Sequence, residues 1–162
     1  MKKLFQTISF LLLSICAIAQ NGYKTFGLSA SLSVNNAKGI TLQYETSKNG
    51  SFALGIMAER LYYSYDKKPI TIYADEKIEA GGLFLKWRLH NTRNFNTGFF
   101  LGGAMGTLNS KFTWYPFLGF QQNIYISGSL ILFTQERLTY LTKVPKNNNW
   151  QPALSLGLKF KL

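Results

Sequence analysis

Residues 81–107 read GGLFLKWRLHNTRNFNTGFFLGGAMGT, which is two runs of alternating side chains joined by a short polar turn. One side of both runs carries large apolar residues: Leu83, Leu85, Trp87, Leu89, Phe95, Phe99, Leu101 and Met105. The other side carries Phe84 together with basic and small residues: Lys86, Arg88, His90, Gly98, Gly102, Ala104 and Gly106. A side-chain period of two on both sides of a polar turn predicts an antiparallel β-hairpin.

The two unlike faces of this hairpin distinguish between two kinds of β protein. A soluble sandwich buries its apolar face and exposes mixed polar residues. A barrel embedded in lipid turns apolar residues outward and small or polar residues inward. A soluble, lipocalin-like barrel remains the alternative, with the two faces reversed. The patterns in the rest of the chain distinguish between these arrangements.

The same division recurs along the chain. Apolar positions alternate with small or polar ones through residues 25–34, and again through residues 153–162. Turn signals such as Asn49-Gly50 separate the runs. Eight runs can be distinguished, an even number, and their lengths suit a tilted bilayer crossing. The sequence therefore predicts an all-β fold, an eight-stranded antiparallel up-and-down transmembrane β-barrel.

The pattern also predicts where the strands are connected. Turns are expected at one rim near residues 47–50, 90–94 and 121–123, and at the other rim near residues 35–38, 66–70, 109–111 and 141–149. The sixth run contains Pro116, which cannot donate to a strand ladder and so suggests a bulge or an edge position. The seventh run, residues 123–138, has apolar residues in both phases, and its faces are not assigned.

The N-terminus predicts export from the cytoplasm. Residues 1–19 have a basic head, an apolar core of about a dozen residues and a small-x-small site, which is the order of a secretory signal peptide. We expect cleavage between Ala19 and Gln20, which leaves a barrel domain of residues 20–162 in the outer membrane. An uncleaved anchor is the alternative, but the apolar core is short for a membrane-spanning helix.

Cysteine content and charge narrow the possible chemistry. Cys16 is the one cysteine of the chain, and it offers a lipoprotein processing route that the bulky Ile15 disfavours. Cleavage at Ala19 removes Cys16, which excludes a disulfide, a thiolate metal site and a cysteine nucleophile. The formal net charge is +11. In an exported chain this charge favours lipid phosphates, polysaccharide or envelope proteins as partners, and no direct nucleic-acid binding is expected.

The inward face predicts a filled lumen. An eight-stranded barrel has an interior only wide enough for its own side chains. We expect a structural network of ion pairs there, formed by Glu45, Glu59, Lys86, Arg88, Lys159 and Lys161. Gly102 and Gly106 would leave room for Lys86 and Arg88. Outward aromatic residues near strand ends are expected to form interfacial girdles: Tyr62, Tyr63, Tyr65, Trp87, Phe95, Trp114, Tyr115 and Trp150.

Residues suited to catalysis are few. His90 is the one histidine, it is expected at the surface beside a turn, and no serine follows it where a hydrolytic triad would need one. Residues 102–106 are glycine-rich but lack the lysine of a phosphate loop. Glu136 and Arg137 should point to opposite faces, with one of them in the lumen. We therefore predict no enzyme, no catalytic or metal-binding residue and no cofactor.

Several segments together resemble one known family. They are Tyr62-Tyr63-Ser64-Tyr65, Pro69-Ile70-Thr71-Ile72, residues 79–86 (EAGGLFLK), Glu136-Arg137-Leu138 and Gly157-Leu158-Lys159-Phe160. In order and approximate spacing they resemble the conjugative transposon protein TraO family over nearly the whole mature chain. The resemblance implies a non-enzymatic outer-membrane part of the envelope apparatus that transfers DNA between bacteria, where it would scaffold the channel and contact other envelope proteins. The alternative is a stand-alone outer-membrane barrel of the adhesion, stress or lipid-modifying kind.

Overall fold

A computed structural model describes residues 23–33, 37–47, 51–67, 72–141 and 149–162, with the side chains of residues 63–76 left undescribed. The expected signal peptide, its cleavage site at Ala19 and Gln20, and Cys16 lie outside the described residues. Eight strands follow in chain order: β1 (Tyr23–Ser33), β2 (Lys38–Ser47), β3 (Phe52–Lys67), β4 (Ile72–Asn91), β5 (Phe95–Leu108), β6 (Lys111–Tyr125), β7 (Leu130–Tyr140) and β8 (Trp150–Lys161).

The eight strands form one closed sheet. Each strand pairs antiparallel with the next, and β8 returns to pair with β1, for example through Phe26 and Phe160. The predicted eight-stranded antiparallel barrel is therefore confirmed. No helix among the described residues is both long enough and apolar enough to cross a membrane.

The alternating sequence sets the two faces of the barrel wall. In β1 the residues from Thr25 to Ser31 alternate strictly between buried and exposed, with Phe26, Leu28 and Ala30 on the outside. In β5 the outward residues include Leu101 and Met105, while Ala104 is buried in the lumen. Because a strand places successive side chains on opposite sides, this division follows directly from the sequence. The orientation predicted for the opening hairpin, with its apolar face outward, is confirmed.

The two ends of the barrel differ in shape. The terminal rim contains the start of β1, the end of β8 and the turns at residues 92–94 and 126–129. The loop rim contains the tight β5–β6 turn, in which Asn109 and Ser110 have φ of 48° and 68°. Two positive φ values are typical of two-residue hairpin turns whose twist matches the strands. The predicted turn at this position is confirmed, although Lys111 already belongs to β6.

A two-stranded ribbon extends beyond the loop rim. β2 pairs with β3 only as far as Tyr62, and β5 pairs with β4 only from Ile78. Beyond these points, within the described part of the chain, β3 and β4 pair only with each other, up to Lys67 and Ile72. The prediction of a loop at residues 66–70 was therefore wrong for Asp66 and Lys67, whose pairing continues β3; residues 68–71 lie outside the described part. We call residues 63–67 and 72–76 the projecting ribbon.

The turn predicted at residues 121–123 was wrong. β6 continues to Tyr125, and the connection to β7 lies at residues 126–129, where the Ser127 hydroxyl accepts a hydrogen bond from the Leu130 amide. Gln121 and Asn123 resemble turn residues by composition, but both are buried in the lumen. The corrected turn also fixes the faces of β7, since Ile131 and Phe133 now point inward.

Pro116 lies in a regular part of the ladder. It pairs with Gly103 of β5 without a register shift, so the suggested bulge was wrong at this position. The β6–β7 pairing begins at Phe117, which leaves the Pro116 side of β6 without a β7 partner. A proline tolerates this local edge because it has no N–H to donate. The register shift that the β4–β5 pairing does contain lies between Arg88 and His90.

Candidate functional site: the barrel lumen

Side chains fill the lumen along its length. The most deeply buried large side chains are Tyr115, Phe100, Phe133 and Lys159, each at most 1% exposed. They come from four neighbouring strands, β5, β6, β7 and β8, and the Tyr115 hydroxyl of β6 reaches Glu59 of β3 across the lumen. The interior is therefore packed, as expected for a barrel of eight strands.

A first ionic group, the lysine cluster, consists of Glu45, Lys86 and Lys159. The two carboxylate oxygens of Glu45 each accept a hydrogen bond from one ammonium group, Oε2 from Lys86 and Oε1 from Lys159. Gln43 also donates to Oε1 of Glu45, at 3.3 Å. Lys159 lies 4.5 Å from the centre of the Phe133 ring. These side chains bring β2, β4 and β8 together at the centre of the lumen.

A second ionic group, the arginine cluster, surrounds Glu59. Arg137 pairs with Oε2 of Glu59 at 2.7 Å, and the Tyr115 hydroxyl donates to Oε1 at 2.5 Å. Thr41 also donates to Oε2, at 3.4 Å. Sequence reasoning had offered other bases as partners of Glu59 and missed Arg137, because the faces of the seventh run were unassigned. As expected, the neighbours Glu136 and Arg137 point to opposite faces, with Arg137 in the lumen.

The other two predicted network residues lie outside both clusters. Arg88 donates to the Tyr23 hydroxyl and is half-buried near the terminal rim. Lys161 is exposed at the same rim, with Nζ 5.7 Å from the centre of the Tyr23 ring. The structure thus brings Glu45, Lys86 and Lys159 together and leaves Arg88 and Lys161 with an aromatic partner instead of a carboxylate.

A chain of amide hydrogen bonds crosses from β6 to β5. Gln121 donates to Asn123 at 2.7 Å, Asn123 donates to Asn96 at 2.6 Å, and Asn96 donates to the Tyr125 hydroxyl oxygen at 2.5 Å. Each link runs from an amide nitrogen to the oxygen of the next side chain. The chain therefore has a direction, and it ends on the oxygen of Tyr125.

An apolar layer also lies inside the barrel. The rings of Phe84 and Phe100 are 6.2 Å apart, as are those of Phe100 and Phe117. The room beside Gly102 is taken by the Phe117 ring, which a Cβ at Gly102 would approach to 2.6 Å. The expectation that Gly102 and Gly106 make room for Lys86 and Arg88 was therefore wrong. Lys86 instead passes Gly98, where a Cβ would lie 3.2 Å from its Cγ.

The outer surface is apolar over most of the wall. A row of rings crosses four strands, with centre-to-centre distances of 5.7 Å for Phe52 and Trp87, 6.3 Å for Trp87 and Phe99, and 5.4 Å for Phe99 and Phe120. Trp114 and Trp150 are also exposed. Tyr115 had been expected in such a girdle, but it is fully buried in the lumen, because its strand parity is opposite to that of Trp114.

Polar and charged side chains interrupt the apolar wall at several points. Glu79 pairs with Arg60 at 2.5 Å and with Lys77 at 2.8 Å, close to where the projecting ribbon begins. Glu136 is exposed on the outer side of β7. His90 is exposed at the end of β4. Among the described residues, no three His, Cys, Asp or Glu side chains lie close enough together to hold a metal ion.

Comparison with known proteins gives matches in structure alone. No family model matches the chain, and no curated protein matches it. The outer-membrane protein Ail of Yersinia pestis, in a phospholipid bilayer nanodisc, superposes with a TM-score of 0.61 at 12% identity, over 88% of this chain and 100% of that chain. The N-terminal β-barrel domain of Pseudomonas aeruginosa OprF gives 0.61 at 9% identity, over 88% and 98%. A designed transmembrane β-barrel gives 0.54 at 7% identity, over 88% and 98%. The chain therefore has the fold of the small eight-stranded barrels of bacterial outer membranes.

Proposed function

We propose that this chain is a non-enzymatic outer-membrane β-barrel component of a bacterial conjugative DNA-transfer apparatus, with a structural or scaffolding role. The filled lumen is the main observation that supports the proposal. Tyr115 and Phe133 are fully buried at its centre, and two ion-paired clusters occupy the space around them. A packed interior gives no path for a solute, so the surfaces that remain for function are the two rims and the outer wall.

The outer wall supports placement in a membrane. Large apolar side chains are exposed on every strand except β7, including Leu28, Leu83, Met105 and Leu156. Exposed apolar area on this scale would drive aggregation in water, whereas lipid covers it. Outer-membrane lipid is thus the first partner of the chain. The exposed tryptophans also suit the boundary between hydrocarbon and headgroups.

The segments that resemble the TraO family supply much of the packed interior. Lys86 comes from the segment at residues 79–86, Arg137 from Glu136-Arg137-Leu138, and Lys159 from the last strand. In this chain these three bases are the partners of the two buried glutamates. The resemblance therefore involves positions that hold the barrel together. It supports a shared fold with the family more strongly than it supports shared loops.

The projecting ribbon is the surface best suited to contact another envelope protein. Its two strands extend past the barrel wall, and among the described residues each pairs only with the other, which leaves one edge of each strand for a partner. Exposed strand edges present unpaired backbone N–H and C=O groups to a second protein. A scaffolding role would use this ribbon, while direct binding of DNA is not part of the proposal.

Mating assays test the proposed role. Deleting the gene in a conjugative host should lower transfer frequency and leave growth unchanged, and the wild-type gene should restore transfer. A shortened variant, in which an Asn-Gly turn joins Tyr62 to Lys77 in place of residues 63–76, should assemble as a barrel but fail to restore transfer. Tyr62 and Lys77 are already paired across the hairpin, so the turn needs no change of register.

His90→Ala is the matched control for this assay. His90 is exposed at the terminal rim, away from the projecting ribbon, and it should restore transfer fully. Unchanged transfer after deletion would reject the conjugation role. A change in lipid A mass on expression of the wild-type gene would support a lipid-modifying enzyme instead, and an unaltered lipid profile agrees with the non-enzymatic role.

A further inference from the structure

A small, partly enclosed chamber lies in the lumen between the lysine cluster and the terminal rim. Its wall includes Thr25, Lys86, Tyr125 and Lys159. The volume in which the centre of a water-sized molecule can lie is about 10 Å³. That is about the least volume that accommodates one water molecule, so the chamber has room for a single small guest.

The charges around the chamber do not balance. Two ammonium groups, Lys86 and Lys159, share the single carboxylate of Glu45, and the three side chains are all less than 10% exposed. Among the side chains that the structure describes, the other carboxylates lie elsewhere: Glu59 with Arg137, and Glu79 and Glu136 on the outer surface. Within the described part of the chain, one buried positive charge is left without a side-chain counter-charge, and burying such a charge is unfavourable.

The hydroxyl and ammonium groups that face the chamber have hydrogens to donate, whereas the side-chain oxygens of Asn96 and Asn123 on its wall already accept hydrogen bonds. The Thr25 hydroxyl is buried, at 2% exposure for the residue, and its oxygen has no hydrogen-bond partner. Tyr125 already accepts from Asn96, so its own hydroxyl hydrogen remains to be donated. Each lysine gives one of three N–H groups to Glu45 and keeps two. The only carboxylate on the chamber wall has both oxygens occupied.

We propose that the chamber binds one small monovalent anion of the chloride class, slightly larger than a water molecule. The anion would accept hydrogen bonds from Thr25 and Tyr125 and would neutralise the excess charge of Lys86 and Lys159. A water molecule could accept from Thr25, but it would leave the positive charge uncompensated. Phosphate and sulfate are too large for a guest volume of this size.

Anomalous diffraction from crystals grown in bromide tests the site directly. Bromide is a chloride analogue with an anomalous signal, and one peak is expected within hydrogen-bond distance of Thr25 and Lys159. Electron density in the chamber without an anomalous peak would mean water only and would overturn the proposal. This readout needs no variant, so it does not depend on whether a substituted chain folds.

Thermal unfolding in detergent micelles tests the same site in solution. Chloride should raise the unfolding midpoint of the wild type above that in gluconate at equal ionic strength, because a ligand that binds only the folded state stabilises it. Thr25→Val and Tyr125→Phe should lose most of this chloride-specific shift. Thr139→Val is the matched control, since it removes another buried hydroxyl without a partner, away from the chamber, and should keep the shift. An equal chloride response in all four proteins would contradict a site in the chamber.

Discussion

Glu45 is the residue on which the interior of the barrel depends most. Its carboxylate accepts from Lys86, Lys159 and Gln43, and the side chain is 4% exposed. Two buried ammonium groups from β4 and β8 are thereby held against β2. A buried ion pair adds little net stability compared with apolar packing, but removing one partner leaves the others charged and without water. The cost of substitution at this position should therefore be large.

Glu45→Gln is expected to lower the free energy of unfolding by about 3–5 kcal/mol, the range for breaking a buried ion pair. Urea unfolding in lipid vesicles, followed by tryptophan fluorescence, measures this change. Glu79→Gln is the control, because Glu79 makes comparable ion pairs on the exposed surface, and its stability should be almost unchanged. Equal losses for the two variants would show that burial of Glu45 has no special effect.

Two adjacent glycines provide a second test at the residue scale. A Cβ at Gly102 would overlap the carbonyl oxygen of Leu83 and lie 2.6 Å from the Phe117 ring. A Cβ at Gly103, on the outer face, would have its nearest neighbour at 3.8 Å. Gly102→Ala should therefore reduce the fraction of chain that assembles, while Gly103→Ala should assemble normally. The shift in gel migration between unheated and boiled samples reports this fraction, and wild-type assembly of Gly102→Ala would contradict the packing described here.

At this scale the sequence predicts the face of a residue but not its partner. Alternation alone placed Glu45, Glu59 and Lys86 in the lumen. Which base reaches which carboxylate depends on the stagger between strands, and a period of two carries no information about stagger. Arg137 was missed as the partner of Glu59 for this reason, and because the phase of β7 could not be read.

At the scale of the strands, β6 and β7 show where sequence patterns mislead. Gln121 and Asn123 look like turn residues, yet they are luminal side chains in an amide chain that leads to Tyr125. In a membrane barrel the inward residues are polar, so polarity does not separate a turn from the lumen-facing half of a strand. In β1 the lumen-facing residues are Gly, Ser and Thr, so their alternation with outward apolar residues identified the strand unambiguously.

Substitution of Glu136 on β7 tests whether the outer face of this strand contacts lipid. It is exposed on the same side as the neighbouring apolar residues of β6 and β8. A charged group on the lipid-facing side destabilises a barrel, so Glu136→Leu should raise the free energy of unfolding in vesicles by about 1–2 kcal/mol. Leu156→Glu on β8 should lower it, because Leu156 is 57% exposed on the same face. No difference between the two variants would argue that this side of the wall is in water.

For the whole molecule, closure of the sheet joins these separate features. Pairing of β1 with β8 encloses the lumen, turns the apolar side chains outward and leaves the rims and the projecting ribbon as the surfaces for contact. The number and direction of strands could be predicted, because each run of alternating residues is about as long as one tilted crossing. The extension of β3 and β4 beyond the wall could not, since charged residues such as Asp66 and Lys67 interrupt the pattern without ending the strand.

The central claim is that the apolar face of the barrel lies in lipid, and the native tryptophans test it without any substitution. Trp87, Trp114 and Trp150 are 38%, 53% and 56% exposed on the outer wall. In vesicles made with brominated acyl chains, most of the tryptophan fluorescence should be quenched relative to vesicles of unbrominated lipid. Fluorescence that brominated lipid leaves unchanged, in a protein that is folded as a barrel, would contradict the account and would favour a water-soluble barrel.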